Sequence, residues 1–171
     1  MPVQTTGPVS GPPESRKTPR LPRRPLSPED CLEVLRKASV CSLATCGEDG
    51  APYVTPLNFA LAGNVIYVHG SREGTRNDNI AADPRVSLCA FTGGDIRTGD
   101  EPCSTGTLFS SVVVTGTARI VGDPAERAAA LDALVAKYVP QHSGKPMPER
   151  NVAATGVIAV DIVTVTGRRR R

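Results

Sequence analysis

The apolar residues of this chain come in short runs rich in β-branched side chains, and this pattern constrains the fold more than any other feature. Val40–Cys46, Pro52–Leu61, Val65–His69, Arg85–Phe91, Leu108–Val121 and Thr155–Val165 are each closed by Gly, Pro, Asn or Asp. Such runs read as six strands. Gly47–Gly50 and Ala62–Asn64 fall between them as turns. Gly116, inside the longest run, marks a bulge or a close backbone approach. Three helices fit between the strands. Ser27 is an N-cap serine, Pro28 takes the first helical position and Glu29 and Asp30 the first turn, so residues 28–38 read as a helix. Residues 73–82 form a short helix stopped by Asp83-Pro84. Residues 124–138 put Ala128, Leu131, Leu134, Val135 and Tyr138 on one face. Residues 92–105 and 139–153 read as loops. Regular βαβ alternation is absent, which argues against a doubly wound parallel sheet. The expected architecture is mainly β with helices (α+β), a six-stranded antiparallel barrel with helices at its ends.

A core for such a barrel must come from Val, Leu, Ile and Ala, because the chain has no Trp, three Phe and three Tyr. The formal charge of +3 hides an uneven distribution. Residues 1–24 hold five basic side chains and one acid, and Arg168–Arg171 hold four more, so the body between them is near −5. The basicity lies at the ends, which argues against a nucleic-acid-binding face on the domain. Residues 1–26, with seven prolines, read as a disordered leader. Residues 27–167 read as the folded domain and residues 168–171 as a solvated basic tail. No apolar run is long enough to span a membrane, and the N-terminus lacks a secretory apolar segment. The five cysteines are odd in number and irregularly spaced, which fits small buried hydrophobes in a reducing cytoplasm. Cys41 and Cys46 fall on opposite faces of one strand. No metal constellation is visible around His69 and His142. His142 reads as exposed, and Tyr53 and Tyr67 as packing residues.

The segment His69-Gly70-Ser71-Arg72-Glu73-Gly74-Thr75-Arg76 carries the chemistry. It follows a strand and opens a helix, whose free N–H groups and partial positive charge suit a phosphate. Arg72 and Arg76 add planar donor forks, Ser71 and Thr75 add hydroxyls, and Gly70 and Gly74 allow close backbone approach. The same residues would also suit a capped helix with solvated arginines. No P-loop, dinucleotide fingerprint, Ser-His-Asp order or paired catalytic carboxylates occur, in keeping with chemistry that resides in a cofactor.

Six pieces, in order, resemble the pyridoxamine 5′-phosphate oxidase-like FMN-binding split-barrel superfamily, and most of all its nitroimidazole-resistance (Nim) type. They are Ser42–Thr45, Pro52–Phe59, Ile66–Ser71 with Gly74–Arg76, Asn79–Val86, Ser111–Ala118, and Thr166-Gly167-Arg168. The resemblance covers about residues 28–168. It implies a homodimer with FMN, or a deazaflavin cofactor, at the subunit interface. Arg76, Ser71 and Thr75 would meet the phosphate. Arg72 would replace the basic residue that family members often carry at position 75. Thr55, Pro56, Leu57 and Asn58 would line the isoalloxazine ring, His69 would lie beside it as the catalytic candidate, and Ser111 would reach in from the second subunit. The implied activity is a cytoplasmic oxidoreductase that takes electrons from a reduced nicotinamide and acts on a small conjugated or nitro-type molecule. The alternative is a carrier or sensor that binds FMN or haem without turnover. The resemblance implies no metal and no membrane partner.

Overall fold

A computed structural model describes residues 23–171. The expected leader lies outside the described residues except for its last four.

Eight strands form one antiparallel sheet. They are β1 (Arg24–Pro25), β2 (Cys41–Cys46), β3 (Pro52–Leu57), β4 (Phe59–Ala62), β5 (Val65–Gly70), β6 (Arg85–Arg97), β7 (Gly106–Ile120) and β8 (Gly156–Arg170). The order across the sheet is β3-β2-β6-β7-β8-β5-β4, with β1 added beside β8. The two end strands, β3 and β4, are consecutive in the chain and joined by Asn58. The sheet therefore curls round on itself and stays open between them. Pro52 and Pro56 lie on β3, where missing amide donors cost the ladder least.

Six strands become eight for physical reasons. The apolar run at 52–61 breaks at Asn58, whose Nδ2 donates to the Ser39 carbonyl at 3.0 Å. Next to it, the Phe59 N–H donates to the Tyr138 hydroxyl at 2.9 Å. The loop expected at 92–105 begins as strand, because β6 runs on to Arg97 across an irregularity between Gly93 and Ile96. Arg168, Arg169 and Arg170 are sheet residues. Ser111 pairs with Arg168, Ser110 with Arg169 and Phe109 with Arg170, and Pro25 and Arg24 pair with Arg168 and Arg169 from the other side. Gly116 sits at the expected bulge, and a Cβ there would lie 2.5 Å from the Asp161 carbonyl.

The helices cover the ends and one side of the sheet. Helix α1 (Pro28–Lys37) is capped by Ser27, whose Oγ accepts from the Asp30 N–H at 3.1 Å. Helix α2 (Thr75–Ala82) follows β5, and α3 (Pro124–Tyr138) is capped by Asp123. The loop expected at 139–153 contains a short helix, α4 (Glu149–Ala154). Inside the barrel, Leu35, Leu43, Phe59, Ile66, Val68, Leu88, Val112, Val114 and Val160 are fully buried. Each contributes roughly 1.5–3 kcal/mol of apolar transfer. A second cluster, with Ala130, Leu131, Leu134, Val157 and Ala159, lies between α3 and the outer face of β5 and β8. Of the cysteines, Cys31 and Cys41 are buried, while Cys46, Cys89 and Cys103 are exposed. Strand alternation turns Cys46 and Cys89 outward, so most of the cysteines are not core residues. Tyr53 is likewise exposed, on the edge strand, whereas Tyr67 packs in the second cluster.

Candidate flavin-phosphate site

Alternation along β5 sorts its side chains. Ile66 and Val68 enter the core, and Tyr67 and His69 face the other way. Gly70 ends the strand opposite Gly156. A Cβ on Gly156 would lie 2.5 Å from the Ser71 carbonyl oxygen and 3.0 Å from the Arg72 Cα, so the chain turns into α2 directly over that glycine. A Cβ on Gly70 would lie 3.0 Å from Nη2 of Arg76. The absence of a side chain at Gly70 therefore lets the Arg76 guanidinium lie against the end of β5.

Arg76 is half-buried, and its Nε is fully buried with no hydrogen-bond partner. No carboxylate among the described residues pairs with it. Gly74 starts the helix at φ 121°, a conformation open to glycine, and no side chain caps the first turn. An uncapped helix start beside an unpaired guanidinium is a fit for a phosphate. Thr75 is exposed at the first helical position. Ser71 is already engaged: its Oγ accepts from the Glu73 N–H at 3.2 Å, and its carbonyl accepts from Asn77 Nδ2 at 3.1 Å. Arg72 turns away from Arg76, donating from Nη1 to the Ala153 carbonyl at 3.0 Å.

Two positioning residues were not among the sequence candidates. Asn77 holds the turn at Ser71, and Asn79 donates to Thr45 Oγ1 at 3.0 Å, a buried bond that ties α2 to β2. Asparagine favours caps over helix interiors. Two of them inside an eight-residue helix are the signal that could have found both.

The segment 55–58 divides by strand alternation. Thr55 lies opposite Leu43 and Leu57 opposite Cys41, both facing the interior, while Pro56 lies opposite Ser42 on the outer face. Thr55 Oγ1 is buried with no partner. Asn58 is occupied at the sheet opening by the Ser39 carbonyl. His69 is exposed, and no hydrogen bond fixes its ring among the described residues. On the same face of β5, the Tyr67 hydroxyl donates to Glu126 Oε1 at 3.0 Å, and Arg119 Nη2 reaches the same oxygen at 2.6 Å. Burial and the adjacent carboxylate raise the Tyr67 pKa, and Arg119 lowers that of Glu126. Ser111 is remote. It pairs with Arg168, twelve steps along β8 from Gly156 or about 40 Å along the strand, and shares the outer face with Phe91 and Arg168.

A model of the pyridoxamine 5′-phosphate oxidase family matches residues 27–169. The chain belongs to that family. An uncharacterized protein of Rhizobium meliloti (strain 1021) is 35% identical over 65 residues, which span 38% of this chain and 42% of that protein. The chain thus matches less than half the length of that relative. A candidate 5-nitroimidazole antibiotic resistance protein of Bacteroides thetaiotaomicron superposes with a TM-score of 0.74 at 20% identity, over 86% of this chain and 88% of that one. That superposition shows the shared fold. An FAD-binding protein of Mesorhizobium loti superposes at 0.65 with 27% identity, covering 87% and 99% of the two chains. An FAD- and haem-binding protein of Mycobacterium smegmatis superposes at 0.75 with 18% identity, covering 85% and 72%. Of the sequence candidates, Gly70, Ser71 and Arg76 converge in one chain. Thr55–Asn58 lie at the sheet opening, and Ser111 belongs to the far end.

Proposed function

We propose that the chain is a cytoplasmic flavin-dependent oxidoreductase that binds FMN as a homodimer, with the phosphate at Arg76. The observation that carries this reading is the buried, unpartnered Nε of Arg76 against Gly70, at a helix start without a side-chain cap. Thr75, at the first helical position, adds a hydroxyl there, and Ser71 fixes the turn. Arg72 contributes charge behind the turn. Thr55, Pro56, Leu57 and Asn58 line the ring through backbone groups at the edge strand β3. When bound, the flavin supplies two-electron chemistry between a reduced nicotinamide and a small conjugated or nitro-type substrate. His69, exposed beside the Tyr67–Glu126–Arg119 network, hydrogen-bonds that substrate or exchanges a proton with it.

In this reading Ser111 meets the flavin of a second copy, across the outer face of β2, β3, β6 and β7. That face exposes Val54 (57%), Phe91 (60%) and Val113 (44%), a row of apolar side chains that a partner would cover.

The test is the absorption spectrum of the purified protein, with the released cofactor identified by mass. FMN that is lost in Arg76→Ala supports the reading, and a released deazaflavin moves the same site to that cofactor. A colourless protein that takes up neither removes it. In the FMN-loaded protein, His69→Gln should keep the flavin and lose reductase turnover. Turnover unchanged by that substitution would leave His69 without a catalytic role.

A further inference from the structure

We propose a second anion site, at the paired ends of β1 and β8, that takes a compact molecule bearing a chain of phosphates. Arg24 lies directly opposite Arg169 in the antiparallel ladder. Like charges in that position repel, and the sheet gains nothing from them unless an anion lies between. A cavity of about 400 Å³ opens there, lined by Arg24, Pro25, Leu26, Asp30, Arg169 and Arg171. Arg169 is held in place. Its Nε donates to Ser110 Oγ at 2.9 Å, and its Nη2 lies 3.4 Å from Asp30 Oδ1. Asp30 offsets one of the three guanidinium charges. Arg24 and Arg171 have no ion-pair partner among the described residues.

The family match covers residues 27–169, so Arg24 and Arg171 fall outside it. The site is separate from the Arg76 site of the same chain. Twelve residues of β8 lie between Gly156 and Arg169, about 40 Å along the strand. Three cations around one concavity suit a short polyphosphate, whose charges are concentrated, better than a long strand. The body between the basic ends is near −5, which repels a nucleic acid running across it.

The experiment is calorimetric titration of the full chain with inorganic tripolyphosphate, then with a nucleoside triphosphate and a single-stranded oligonucleotide. In the Arg76→Met background, which removes the phosphate contact proposed above, one tripolyphosphate per chain is expected. Arg24→Gln and Arg171→Gln should each weaken it about tenfold, the size of one charge-assisted contact. Arg36→Gln, an exposed arginine on α1, should leave it unchanged. Both site variants remove repulsion from exposed side chains, so the unliganded melting temperature should hold or rise. Equal affinity for the nucleoside triphosphate identifies the phosphate chain as the recognised group, and a tighter fit identifies a nucleotide as the source. The proposal is overturned by no binding at millimolar tripolyphosphate, by site variants that bind as the parent does, or by tighter binding of the oligonucleotide.

Discussion

Replacing Arg76 by Met should move two measurements in opposite directions. In the free protein the Arg76 Nε is a buried donor with no acceptor. A buried unsatisfied donor costs about 1–3 kcal/mol. Met keeps most of the aliphatic stem and removes that donor. Because Arg76 is half-buried, the lower part of the range applies. The free protein should therefore gain about 1 kcal/mol, or about 3 °C in melting temperature for a domain of this size. With flavin present the sign reverses. A charge-assisted contact to a phosphate contributes about 1.5–3 kcal/mol, so FMN affinity should fall by about 10-fold to 150-fold. Fluorescence titration of FMN reads the affinity, and differential scanning calorimetry with and without FMN reads the stabilities. A destabilised free protein with unchanged FMN affinity would refute the reasoning, because Arg76 would then be a structural residue. Gly70→Ala is the milder companion. Its methyl would press on a guanidinium 3.0 Å away, so it should weaken FMN by a smaller factor with little change in free stability.

Further expectations follow from single contacts. Thr45→Val removes the acceptor of the buried Asn79 amide, so chemical denaturation should report a loss of about 1–3 kcal/mol. Gly116→Ala brings a Cβ to 2.5 Å from a backbone oxygen that cannot move aside cheaply, and should cost about 1–3 kcal/mol in the same assay. Lys137 gives a pH dependence. Burial pushes its pKa down from 10.5 to about 8, opposed only by Cys41; its ammonium lies 3.2 Å from the Leu35 carbonyl and 3.6 Å from the centre of the Phe59 ring. Between about pH 8 and 10.5 the unfolded chain holds more protons at this position, so its contribution to stability rises with pH there and is flat below. Lys137→Met should abolish that rise in a series of denaturant titrations, and a rise of equal size in the variant would assign it to another group. Val113→Arg places a charge on the outer apolar face. It should yield a monomer by sedimentation and lose FMN together with the partner's Ser111.

The parts legible in the sequence are those fixed by neighbouring residues. Ser27 and Asp123 cap their helices through bonds to N–H groups three residues on, so their effect is local and their pattern short. The glycine bulge in β7 and the strand runs were legible for the same reason. The break at Asn58 was not, because it depends on Ser39 and Tyr138, partners 19 and 79 residues from the atoms they bind. The arginines at the C-terminus read as solvated because a charge run carries no strand signal. Their order comes from the ladder, in which β7 and β1 flank them on either side. The candidate site shows the same division. Its residue types were visible as a string from His69 to Arg76, but their value to a ligand lay in which groups remain unpaired. Ser71 and Arg72 bond within the protein, whereas Arg76 and Thr55 keep buried polar atoms without partners. A sequence can list donors. Only the packed structure shows which donors are left over, and a pre-formed site is built from those, because the cost of their desolvation is already met on folding and is recovered when a ligand binds.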